Sequence, residues 1–142
     1  MAEPAPGQGS ASSSGRVVSD DDRIAAAQAY IDALVSHDGD AVPFAPECVR
    51  IEQGIKTGFS GNHLRRSLSR GPQYRIIEVV TQPKYTLNGD EVRAVFDIVT
   101  KSGFAGRRVA VHIDETFVIP PTDGRIHHIR VRLHPFIRRG RT

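Results

Sequence analysis

The sequence predicts an α+β domain, an antiparallel sheet with its helices gathered on one face. Three observations carry this. Arg107–Leu133 (RRVAVHIDETFVIPPTDGRIHHIRVRL) reads as two long strands, with Val109, Val111, Ile113 and Phe117 alternating on one side of the first and Ile129, Val131 and Leu133 on one side of the second. Pro120-Pro121-Thr122-Asp123-Gly124 between them breaks the ladder and turns it. Upstream, Ile24, Ala27, Ile31, Leu34 and Val35 recur at helical spacing. Strands this long cannot stay flat, so the sheet must curl.

The elements follow in order. Residues 1–19 (MAEPAPGQGSASSSGRVVS) are Ala, Pro, Gly and Ser with little to bury, and are expected to be a disordered tail. Ser19 caps a helix whose first turn, Asp20-Asp21-Asp22, suits the macrodipole. That helix runs to about Ser36 and ends in His37-Asp38-Gly39-Asp40. Cys48–Glu52 is a short strand, with Val49 and Ile51 on one face and Cys48, Arg50 and Glu52 on the other. Ser60–Arg70 is a short basic helix with Leu64 and Leu68 inward, stopped by Gly71-Pro72. Tyr74–Gln82 is the next strand. Lys84–Leu87 leads into the hairpin signal Asn88-Gly89-Asp90, and Glu91–Lys101 places Val92, Ala94, Phe96 and Ile98 on one face. Residues 20–137 are thus one domain, followed by a basic tail over 138–142.

Composition narrows the function. The chain has 142 residues, enough for one core. Its net charge of +3 comes from 19 basic and 16 acidic residues, and Arg138, Arg139 and Arg141 alone supply the excess. Nucleic-acid binders spread basic residues over a face, so neither a nucleic-acid nor a membrane partner is expected, and the tail reads as a solvated terminus. A single cysteine, Cys48, allows no intrachain disulfide. No run approaches the ~20 apolar residues of a spanning helix, and no signal core follows the N-terminus. A cytoplasmic protein is the expectation. His112, His127, His128 and His134 lie on strands where neighbours point to opposite faces, so no metal site is expected. His127 shares the inward face of Ile129 and could reach a cavity mouth.

Glu115 breaks the apolar face of its strand. Either it lies at an edge or pairs with Arg93 or Arg130, or it lines a cavity, where desolvation would raise its pKa and fit it for acid–base chemistry. Tyr30 stands on the shoulder of the helix stripe, as a packing residue or as a hydroxyl near polar space.

The opening AYIDALVSHDGDAVPFAPECVRIEQG, and the closing strand–turn–strand with Asp-Gly-Arg-Ile, resemble the nuclear-transport-factor-2-like superfamily over about residues 22–135. The branches it most resembles are SnoaL-like polyketide cyclases, ketosteroid isomerases and a set of uncharacterised bacterial relatives. The resemblance implies a cone-shaped (cystatin-like) roll, a curved sheet wrapped around the N-terminal helix, with a pocket inside. In ketosteroid isomerases a tyrosine and a carboxylic acid held neutral by an apolar site form an oxyanion hole, and a second carboxylate moves the proton. Motif positions carry the tyrosine to Tyr30, the base to Glu52 in VRIEQG and the acid to Asp114 in HIDETF. Glu52 departs from the pattern, being Glu and not Asp and sharing its face with Arg50. Strict alternation places Glu115 rather than Asp114 inward, and a one-residue slip would exchange them. Both stay candidates.

Two functions follow. One is a cofactor-independent isomerase or cyclase acting on an apolar carbonyl-bearing small molecule, steroid- or polyketide-like, with Tyr30, Glu52, Asp114 and Glu115 as catalytic candidates. The other is a non-catalytic ligand-binding or assembly domain, a homodimer paired through an outer sheet face carrying Val95, Val99, Arg130 and Arg132. Ionisation of the interior acids separates the two.

Overall fold

The structure, a computed structural model, describes residues 17–139. The expected disordered tail lies almost wholly outside that range. Helix α1, Asp20–Ser36, begins with a capping box in which the Ser19 hydroxyl accepts from the Asp22 N–H and the Asp22 carboxylate accepts from the Ser19 N–H. A 3₁₀ turn, Gly39–Ala41, leads to β1, Phe44–Glu52, and β2, Ile55–Gly58. Helices α2, Gly61–Arg70, and α3, Pro72–Arg75, follow. The rest is strand: β3, Ile77–Val80; β4, Lys84–Asn88; β5, Glu91–Phe104; β6, Arg107–Val118; and β7, Ile126–Arg139.

The strands form one curved, unclosed sheet in the order β2-β1-β7-β6-β5-β3, with β4 also on β5. All pairs are antiparallel except β1 with β7, which is parallel. The core lies between the sheet's inner face and α1 and α2, where Ile31, Leu64, Leu68, Phe96, Phe117 and Ile129 pack together.

Several elements differ from the sequence reading. The buried face of α1 is centred on Arg23, Ala27, Tyr30 and Leu34, while Val35 is exposed. Both polar residues on that face have partners. Arg23 donates to the Ile119 carbonyl at 2.8 Å and to Asp90 at 3.1 Å, tying α1 to the two turns at that end of the sheet. Ile55–Gly58 forms a strand where none was expected. Tyr74 does not open a strand: Pro72 at the first helical position starts α3, and Tyr74 is carried inward on it. Arg138 and Arg139, read as the start of a basic tail, are exposed as expected but form the last rungs of β7; the rest of that tail, 140–142, lies outside the described residues.

Candidate functional site

The site begins with a charge in the core. Cys48, buried on the inner face of β1, sets the alternation, and Arg50 two residues on must point the same way. Arg50 is 2% exposed. A buried guanidinium is tolerated only when its donors are used. Here Nη1 donates to the Tyr30 hydroxyl at 3.0 Å and the Tyr74 hydroxyl at 2.7 Å, Nε to the Thr57 hydroxyl at 3.0 Å, and Nη2 to the Thr57 carbonyl at 3.2 Å. Strand β2 therefore exists in part to satisfy Arg50. Gly58 makes room for the pairing, because a Cβ there would overlap Leu64 and lie 2.9 Å from the Arg50 Cβ.

Tyr30 is fixed from its other side by edge-on contacts with Phe44 and Phe117, ring centroids 6.1 Å and 5.4 Å away. Burial, then the neighbouring Tyr74, push the Tyr30 phenol well above its ordinary pKa, and burial also raises Tyr74. Both stay protonated at neutral pH. Each phenol oxygen accepts from Arg50; Tyr74 also hydrogen-bonds the Ser67 side chain, so the Tyr30 O–H is the one left to donate.

The two tyrosines line a cavity of about 360 Å³ between α1, α3 and the inner face of β5–β7. Its walls are mostly apolar, including Leu34, Ile77, Phe96, Ile113 and Val131. Into it points Glu115, opposite Ala94 on β5 and Val131 on β7. Glu115 is 2% exposed, and no hydrogen-bonding partner of its carboxyl is found among the described residues. Burial dominates its ionisation, with the Arg50 charge opposing and Glu52 reinforcing, and its pKa is pushed up to about 8. At pH 7 it is mainly the neutral acid.

Glu52, half-buried at the end of β1, also lines the cavity, with its carboxylate 3.7 Å from the Arg50 Nε. Tyr30, Glu52 and Glu115 are therefore brought together. Asp114 is not. It stands on the opposite face of β6, where Arg93 donates to both its oxygens at 2.8 Å and 2.6 Å and holds its carboxyl below the usual range. The slip that would have turned it inward does not occur, since β5 and β6 stay in register from Glu91/Val118 to Val99/Ala110. Glu115 meets neither proposed arginine: Arg93 holds Asp114, and Arg130 reaches Glu91 at 3.4 Å. His127 pairs with Asp123 at 2.9 Å and is not among the residues lining the cavity. Among the described residues no three His, Cys, Asp or Glu side chains converge as metal ligands.

Arg50 and Tyr74 were absent from the sequence candidates. The face shared with Cys48 was the signal for Arg50, and Gly71-Pro72 as a helix start was the signal for Tyr74.

The fold is the nuclear-transport-factor-2-like one. An LEH-like epoxide hydrolase from M. tuberculosis aligns at 20% identity with a TM-score of 0.64, over 80% of this chain and 84% of that one. An NTF-2 like protein of unknown function from Burkholderia xenovorans LB400 aligns at 13% identity and 0.63, over 82% and 85%. A candidate SnoaL-like polyketide cyclase from Shewanella denitrificans OS-217 aligns at 15% identity and 0.60, over 79% and 90%. No curated protein matches the chain. The family described as "Domain of unknown function (DUF8021)" matches residues 16–133.

Proposed function

The chain belongs to the DUF8021 family, and we propose that its cavity takes an apolar, carbonyl-bearing small molecule and moves a proton on it without a cofactor, as an isomerase or cyclase. The observation that carries this is Glu115: a carboxyl in an apolar cavity, beside two phenols that a buried cation holds in place.

The roles follow from the environments. Two carboxyl groups held in different surroundings can take opposite parts. Glu52, ion-paired with Arg50, is the carboxylate that removes a proton from the carbon next to the carbonyl. The carbonyl oxygen becomes an enolate oxygen, held by the O–H of Tyr30 and by neutral Glu115, with Tyr74 beside them. The new carboxylic acid at Glu52 returns the proton to another carbon, or the enolate carbon adds to a second carbonyl carbon of the same molecule, breaking its π bond to close a ring, and Glu52 gives the proton to the new alkoxide. Arg50 touches no substrate in this scheme. It positions the phenols and favours negative charge on the oxygen they hold.

The test has two stages. A thermal-shift panel of steroids, polyketide-like aromatics and small enones identifies a ligand. Hydrogen–deuterium exchange at its α-carbon, followed by NMR in D₂O, then reports proton transfer. Exchange that vanishes in Glu52→Gln and drops in Tyr30→Phe supports the scheme. A ligand that binds tightly and never exchanges rejects it.

That second outcome would favour the other reading, a non-catalytic binding or assembly domain. The Arg50–Glu52 and Arg93–Asp114 pairs speak for it, since acids matched with arginines are what a scaffold needs. In that reading two copies pair through the outer face bearing Val95, Arg130 and Arg132. Val99 is already buried within the chain and adds little to such a face.

A further inference from the structure

The far end of the long hairpin collects charge of one sign. Arg107 on β6 stands opposite Arg139 on β7, and Arg108 stands opposite Arg138 on the next rung. Like charges directly opposite on a ladder repel. Among the described residues only Arg108 of these four has an acidic partner, Glu78. Lys101 on β5 adds a further exposed cation beside them. The same end exposes apolar side chains. Phe104, at the tip of the β5–β6 hairpin, is 86% exposed, and Ile137, between the two arginines of β7 and Phe136, is 63% exposed.

We propose that this end of the sheet docks on an anionic lipid surface. The unpaired arginines would meet headgroup phosphates and carboxylates, and Phe104 and Ile137 would enter the interface. Charge complementarity gives the first half of the argument, because juxtamembrane basic clusters are drawn to anionic leaflets. The apolar residues give the second. A single-stranded nucleic-acid site sets aromatic faces along a charged groove. Here the apolar groups are Phe104 on a hairpin tip, Ile137, and Phe136 beside it at 38% exposed; neighbours on a strand face opposite ways, so the two rings form no row along a groove and suit insertion better than stacking. The patch lies on the same strand as one cavity-lining residue: Val111 lines the cavity, and Arg107 lies four residues further along, roughly 13 Å away at the usual rise per residue. The inference stands apart from the reaction proposed above.

Co-sedimentation of the full chain with two kinds of vesicle tests it: phosphatidylcholine alone, and phosphatidylcholine mixed with phosphatidylserine. Binding is expected to the mixed vesicles only, and to weaken as salt is raised. Each basic residue at such a surface changes partitioning about fivefold, so R138E/R139E should reduce binding by well over tenfold. Phe104→Ser should weaken it several-fold and leave the salt dependence unchanged. Both positions are exposed, and circular dichroism checks that the variants fold. Absence of sedimentation, wild-type binding by R138E/R139E, or tighter binding to a duplex oligonucleotide that ignores Phe104→Ser would each overturn the proposal.

Discussion

Arg50 and Tyr30 meet 3.0 Å apart inside the protein, and each is only 2% exposed. One comes from the first strand and the other from the first helix, so the contact ties α1 to β1 beside the cavity. It also sets the polarity of the site. The guanidinium can only donate, so the phenol must accept, and its own proton is left to point elsewhere.

Stability should depend on this cation. Arg50→Met removes the partner of two buried hydroxyls and of Thr57. Breaking a buried charge network from one side costs about 3–5 kcal/mol, although here the uncharged phenols and Thr57 remain and the loss should fall nearer 3 kcal/mol. Arg50→Lys keeps the charge but cannot reach all three partners, and should recover only part of it. Urea unfolding at pH 7 reads both.

Tyr30→Phe separates packing from chemistry. The ring contacts with Phe44 and Phe117 remain, so stability should fall by only about 1 kcal/mol. Loss of an oxyanion donor should lower proton exchange on a bound carbonyl ligand on the order of 10²-fold, with affinity little changed. Equal exchange rates in the two proteins would remove Tyr30 from the mechanism.

Glu115 makes stability depend on pH. Its pKa rises from the ordinary glutamate range to about 8 on folding. Between those values the folded protein holds a proton that the unfolded chain has released, so the contribution is full at acidic pH and is lost as pH rises toward about 8. Glu115→Gln keeps the shape and cannot ionise. Its melting temperature should match the wild type near pH 5 and exceed it increasingly up to pH 9. A constant difference across that range would mean that Glu115 does not titrate there.

Asp114→Asn is the outward control. Asp114 is paired with Arg93 on the outer face, and exposed pairs contribute little to stability. Ligand-induced thermal shifts and proton exchange should stay at wild-type levels. A large loss of either would return Asp114 to the site.

The hydrophobic code determined much of this protein. Period-two alternation in Glu91–Lys101 and Arg107–Leu133, and the acidic, serine-capped start at Ser19, are local signals that survive folding because each element buries the face its own pattern defines. The same alternation identifies Glu115 as the odd carboxyl of its face, and the resemblance to ketosteroid isomerases is what singles out Tyr30 and Glu52. What Arg50 and Tyr74 do was decided by tertiary structure. An arginine on a short strand is ordinarily solvated, and nothing local reveals that Tyr30, Tyr74 and Thr57 will converge from α1, α3 and β2 to use its donors. The arginines at the other end follow the same logic. Arg107, Arg108, Arg138 and Arg139 lie some 30 residues apart as two dipeptides in the chain. Only the β6–β7 register sets them opposite one another, because like charges cluster when pairing elsewhere on the ladder is strong enough to hold them there.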